Sequence, residues 1–170
     1  GLGCHTMQSV FNADDNDRPF FGSVVRPTAA LSFSPAHGES HVPGRHLNAL
    51  LNAEDVIDIE LDEAAVGKHA DAAHFSFSGS LPVPLNRERV GGPLVNFLTH
   101  NLREGMHALY ALVKYRHDDR ARELAEGCIA SIIELWSPAD GWNVGACRER
   151  YGLEPAEPNA TYGLPRLIGP

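Results

Sequence analysis

A mostly α fold, built from helical hairpins, is predicted by three observations. Between Pro93 and Trp136 two apolar stripes recur at spacings of three and four residues, the pattern that buries one side of a helix. A short His117-Asp118-Asp119 link joins them and offers a carboxylate to cap the second helix. Ser137-Pro138 then closes the second stripe, because proline lacks an amide donor and disfavours helical geometry in the residue before it.

Taken in order, residues 1–43 are rich in Gly, Pro, Asn, Asp and Ser, and read as an irregular region. Phe20 to Val25 and Ala30 to Phe33 are short β-favouring runs within it. The Pro43-Gly44 breaker separates this region from a helical pattern that starts at Arg45, with Leu47, Leu50, Leu51 and Ala53 apolar. An alanine-rich helical pattern spans Asp62 to Ala73. His74 to Pro93 alternates Phe75, Phe77, Leu81, Val83 and Leu85, but Pro82 and Pro84 argue against a sheet interior, so an extended, ordered loop is expected. In the main hairpin the first helix buries Leu98, Leu102, Met106, Leu109 and Val113, flanked by Leu94, Gly105 and Leu112. The second buries Ala121, Leu124, Ala125, Cys128, Ile129, Ile132, Leu135 and Trp136. So short a link makes the two helices antiparallel. Beyond Gly141 the chain is expected to loosen through Pro155 and Pro158, before Leu164, Leu167 and Ile168 begin another stripe. That stripe cannot bury its face before Pro170, and the chain is therefore expected to be the front part of a larger protein.

The 170 residues suit a single domain, 1–170, with an irregular part (1–43) and a helical part (44–170). A hydrophobic share of 43% and a charged share of 21% place it among globular proteins. The net charge of −8, with basic residues scattered, excludes a nucleic-acid or anionic-membrane surface, which needs a clustered positive field. No run of about 18 apolar residues is present to span a membrane. The opening Gly1-Leu2-Gly3-Cys4 lacks the basic-then-apolar pattern of a leader, so the compartment is left open. Cys4, Cys128 and Cys147 form no paired ligand knuckle, and Cys128 falls on a buried stripe. No nucleotide-binding glycine loop occurs, and neither a cofactor nor a resident metal is expected.

The helical hairpin from Leu94 to Trp136 carries a resemblance. Ala108-Leu109-Tyr110-Ala111-Leu112-Val113-Lys114-Tyr115, followed by Asp118-Asp119-Arg120-Ala121, leads into an Asp140-Gly141-Trp142-Asn143 loop and a restart at Tyr162-Gly163-Leu164. This succession resembles the opening of α/α-toroid carbohydrate-active enzymes, a group that holds glycoside hydrolases and polysaccharide lyases. The likeness covers about the second half of the chain. It implies a ring of hairpins, a glycan substrate, and hydrolysis or elimination at a glycosidic bond.

Candidate chemistry gathers on the first helix of the hairpin. His100, Glu104 and His107, spaced four and then three, share its polar side with Arg103 close by. A solvated face is one account of them. Glu104 and His107 also have the E-x-x-H spacing of carboxylate-bridged metal bundles, although the partner helix offers only Glu123 and Glu126 and no second E-x-x-H. In a toroid the same side would line the cavity, with Glu104 as acid or base and His100, His107 and Arg103 around the sugar. Hydrolysis needs a second carboxyl group, for which Glu39, Glu88 and the Asp14-Asp15-Asn16-Asp17 cluster are candidates. Elimination beside a uronate calls for Arg or His to neutralise its carboxylate, and Arg87, Arg89, Arg103 and His100 suit that. Trp142 and Tyr162 could stack on sugar rings, with Arg87 and Asn143 as polar contacts. Gly38-Glu39-Ser40-His41-Val42 begins like a nucleophile elbow but ends in Val42 where the motif needs glycine. Asp14 to Asp17 offer hard oxygen ligands, but Arg18-Pro19 stands where a calcium loop turns on glycine, and turn chemistry explains the cluster. A non-catalytic helical binding or scaffold domain, and a metal-dependent protein using His100, Glu104 and His107, are the competing readings.

Overall fold

A computed structural model describes residues 2–24, 27–28, 30–57 and 59–159, and six α-helices carry the fold among them. The region before residue 41 is more ordered than its composition suggests. Helix α1 (Leu2–Met7) is followed by a two-stranded pair, β1 (Phe11–Asn12) with β2 (Arg18–Pro19), and by a second pair, β3 (Gly22–Val24) with β4 (Ala30–Ser32). The second pair matches the two β-favouring runs. Asn12 caps the turn between β1 and β2 by accepting from the Asp14 amide, and Asn16 and Asp17 take left-handed backbone there, which their short polar side chains tolerate.

Helix α2 (His41–Val56) starts four residues earlier than the sequence pattern indicates, through the Pro43-Gly44 pair read as a breaker. Pro43 falls in the first turn, where a helix has no use for the missing amide. Gly44 is there because another backbone is. A β-carbon built on it would lie 2.6 Å from the carbonyl carbon of Glu104, so only glycine lets the two chains approach this closely. Helix α3 (Glu63–Ser76) is capped by Asp62, which accepts from the Ala64 amide at 2.9 Å. Its His69 is fully buried, with Nε2 2.8 Å from the Met7 carbonyl and 3.3 Å from His46 Nδ1, tying α1 to α2 and α3.

The first helix of the hairpin is shorter than expected. Leu94 is not helical: β6 (Leu94–Asn96) pairs with β5 (Asn86–Arg87), and α4 covers only Asn101–Arg116. Gly91, Gly92 and Pro93 explain the difference, since they favour a turn followed by extended chain over a helix start. His117 ends α4 in left-handed geometry, and Asp118 starts α5 (Asp119–Leu135) by accepting from the Ala121 amide at 2.9 Å. The helical hairpin is thus present, with Trp136 just outside it in β7 (Trp136–Ser137), paired with β8 (Gly141–Trp142). Residues after 141 do not loosen at once. Asn143 accepts from the Ala146 amide, α6 (Val144–Tyr151) follows, and Gly152 stops it at φ 67°. The stripe at 164–168 lies outside the described residues.

Helix α4 is the hub, packed by α2, α3 and α5, with α2 making the most extensive contact. Leu47, Leu50 and Leu51 of α2, Leu102, Leu109 and Leu112 of α4, and Cys128, Ile132 and Leu135 of α5 form one core. Leu81, Val83 and Leu85 of the proline-containing linker are buried in it as well. No helix among the described residues is long and apolar enough to cross a membrane.

Candidate functional site

Because Gly44 brings α2 against α4, the N-terminal ends of these two 16-residue helices lie side by side. Three histidines meet there. His37 comes from the turn before α2, His41 is the first residue of α2, and His100 precedes the first residue of α4. Each offers a ring nitrogen, and these nitrogens lie within 4.8 Å of one another. The ring centroids of His37 are 5.0 Å from His41 and 5.1 Å from His100, and Phe21 stacks on His37 at 4.5 Å. All three rings are half-buried.

Two polar groups flank these rings. Ser34 Oγ is 3.1 Å from His37 Nδ1. Asn101 is fully buried and donates its amide to the Ala36 carbonyl at 2.5 Å, which leaves its carboxamide beside the His41 ring, where neither its oxygen nor His41 Nδ1 makes a hydrogen bond. Ser34 thus holds the Nδ1 side of His37, while the enclosed Nδ1 of His41 is left without a hydrogen bond. Burial pushes the His37 and His41 imidazoles below their ordinary range, with Arg45 adding repulsion at each and the neighbouring rings a further share.

Beside the cluster sits Glu104, only 3% exposed although it was expected on a solvated face. Its Oε1 receives Arg103 and, at 3.5 Å, Arg45, while His107 Nδ1 is 3.7 Å from Oε2. Burial works against the charge, but Arg103, His41 and Arg45 together hold this carboxylate below the usual range. Arg45 also borders a cavity of about 280 Å³ with Phe20, Phe21, Val42, His41 and His46. His41 thus belongs to both the histidine cluster and the cavity wall.

The turn that carries His37 is fixed from beneath. Arg87 grips Asp15 with two hydrogen bonds of 2.7 Å and Glu39 with one of 2.6 Å, all three side chains being almost wholly buried. Glu39 also accepts from the Arg87 amide, and Asn86 accepts from the Glu39 amide and the Ser40 hydroxyl. Burial pushes the Glu39 carboxyl up against the opposing pull of Arg87, and the Arg87 guanidinium is held strongly charged by the two carboxylates.

Of the residues expected from sequence, Arg103, Glu104 and His107 do converge, with Glu104 buried among the other charges and His107 half exposed, whereas His100 is placed with His37 and His41. Arg87 does not meet a ligand: its donors are spent on Asp15 and Glu39, which also removes Glu39 as a free second carboxylate. Ser40 is buried as a donor to Asn86, so the elbow-like segment is a bolted turn. Trp142 is 3% exposed and packs edge-on against Phe97, a core plug; Asn143 is spent as the cap of α6. Tyr162 lies outside the described residues. Sequence reasoning missed His37, His41 and Arg45. The signal was present as a run spaced by four, His37, His41, Arg45, but it crossed the expected boundary at residue 43.

Comparisons with known proteins add no family to this geometry: no protein-family model, no curated protein and no solved structure gives a significant match to the chain.

Proposed function

We propose that the junction of α2 and α4 is the substrate end of a carbohydrate-active enzyme acting on a carboxylate-bearing glycan by hydrolysis or elimination, and that its helical hairpins belong to an α/α toroid. The observation that supports this best is the company around one cavity. Arg45 and His41, at the amino end of α2, border it beside Phe20 and Phe21, and Arg103 shares the Glu104 carboxylate with Arg45. Helix amino ends and guanidinium groups favour an anion. Aromatic faces accept the apolar side of a sugar ring.

In elimination the carboxylate of the sugar is neutralised by Arg45, which makes the neighbouring C–H acidic. The histidine cluster, through a water it activates, supplies the acceptor for that proton; the electron pair forms the double bond as the glycosidic C–O bond breaks, and the departing oxygen takes a proton from solvent. Glu104 acts as a positioning residue: its carboxylate is covered by the two arginines and His107, and it holds Arg45 and Arg103 at the rim.

The test is a panel of neutral and uronate-containing polysaccharides incubated with the protein as it exists. New reducing ends identify cleavage, and ultraviolet absorbance of an unsaturated product separates elimination from hydrolysis. Activity confined to the uronate-containing members and lost in Arg45→Gln is expected. No cleavage and no binding across the panel would remove this reading in favour of a non-catalytic helical domain.

A further inference from the structure

We infer that His37, His41 and His100 form a binding site for one divalent transition-metal ion, with zinc as the natural fit. Three neutral imidazoles with an open fourth position are a common catalytic zinc arrangement. The three rings come from three separate places in the chain, the turn 35–40, the start of α2 and the approach to α4, and still place a nitrogen each within 4.8 Å of the others. At bond lengths of about 2.0–2.1 Å a tetrahedral centre needs its nitrogens about 3.3 Å apart, so binding asks for a contraction of about 1.5 Å at most. The half-buried rings can supply that movement by turning about their own side-chain torsions, while the turn stays held by Arg87 and the α2–α4 crossing by Gly44.

The surroundings support ligation more than they support a chance cluster. A metal-bound imidazole usually has its other nitrogen held by a polar partner, which fixes the tautomer and the aim of the ring. Ser34 does this for His37, and the buried Asn101 carboxamide, anchored on Ala36, lies beside His41 with its oxygen unpaired and available to that ring. Phe21 lies flat on His37 and shields one side of the cluster. Arg45 and the two helix ends oppose a cation, and Glu104 offsets part of that. The balance requires an anion in the open position: hydroxide from a deprotonated water, or a carboxylate group arriving through the cavity that His41 borders.

This site stands whether or not a glycan is the substrate, and it is tested without turnover. The full chain is stripped with a chelator and titrated with zinc by calorimetry, then with cobalt by visible spectroscopy. One equivalent should bind at micromolar or lower concentration, and cobalt should give the bands of a nitrogen and oxygen site with no thiolate charge transfer. His37→Ala and His100→Ala should each weaken binding by more than about 100-fold, Asn101→Ala by about 10- to 100-fold, and His107→Ala should leave it unchanged. Circular dichroism establishes that each variant folds. Should one not fold, nitrogen-15 shifts of the histidine rings in the unaltered protein decide, because zinc must move those of His37, His41 and His100. Absence of saturable binding, or binding that survives both His37→Ala and His100→Ala, overturns the inference. Metal binding with no cleavage of any glycan removes only the enzyme reading, and cleavage indifferent to chelator with no metal bound removes only the metal site.

Discussion

Gly44→Ala separates two effects of opposite sign at the crossing on which the site depends. Intrinsic propensity favours alanine inside a helix by about 1 kcal/mol, so a helix without close neighbours would gain stability from the change. At Gly44 the new methyl would fall 2.6 Å from the carbonyl carbon of Glu104 and 3.1 Å from its α-carbon, well inside ordinary contact. These are backbone atoms of a packed helix, so no side chain can swing away, and α2 and α4 must separate by about 1 Å. Overpacking of this kind costs about 1–3 kcal/mol, and occasionally more, because the contacts along the whole crossing loosen together. Backbone atoms that cannot move aside place the cost at the upper end of that range, about 3 kcal/mol, and subtracting the propensity gain leaves a net loss of about 2 kcal/mol. For a chain of this length that lowers the melting temperature by about 4–8 °C. Gly67→Ala is the control: it sits inside α3 with nothing within 4 Å of a built β-carbon, and it should gain about 0.5–1 kcal/mol. Thermal and urea unfolding of both variants, followed by circular dichroism, reads the two signs. A Gly44→Ala protein as stable as the parent would refute the close crossing and, with it, the juxtaposition of His41 and His100.

Other expectations follow from buried polar groups. Burial pushes His46 and His69 down to about 4, from an ordinary 6.5 in the unfolded chain. Lowered histidine values mean that their contribution is fully present above pH 6.5 and is lost as pH falls toward 4, by about 3 kcal/mol for the first ring to gain a proton. Urea midpoints measured between pH 7.5 and pH 4.5 should fall, and His69→Gln should flatten that dependence; an unchanged slope in the variant would show that other groups govern it. Replacing Arg87 by Met leaves Asp15 and Glu39 buried without their counter-charge and should cost about 3–5 kcal/mol, measurable as a lower urea midpoint. Asp118→Ala removes the cap of α5 and the carboxylate 3.0 Å from His74, and should cost about 1–2 kcal/mol by the same assay. Trp142→Ala should lower stability by about 3–5 kcal/mol, whereas a sugar-stacking role would show instead as a change in glycan affinity at full stability.

The parts of the fold that were legible in the sequence are those set by local pattern. The stripe from Ala121 to Leu135 with Asp118 before it and Pro138 after it specifies α5 without help from the rest of the chain. The β-favouring runs of the first 43 residues likewise found each other as β3 and β4. What could not be read is what tertiary contact decides. Helix α2 passes through Pro43-Gly44 because the Glu104 backbone lies against it, a fact about residues 60 positions away. Glu104 looks solvated on its own helix, since periodicity records only that it lies off the apolar stripe; α2 then covers that side and brings Arg45 to it.

The same limit accounts for the site. Arg87 and Glu39 carry the charges that catalysis favours, and in isolation each could face a ligand, but the structure pairs them with Asp15 and uses the trio to hold a turn. That turn then carries His37 toward His41 and His100, so the residues that resemble a catalytic apparatus serve as its mount. A charged side chain with all its donors satisfied inside the protein has no free energy left to offer a substrate. Half-buried imidazoles that each offer a nitrogen to one shared space retain that capacity. On this ground the proposed chemistry is sought at the meeting of the two helix ends and not at the buried ion pairs beneath it.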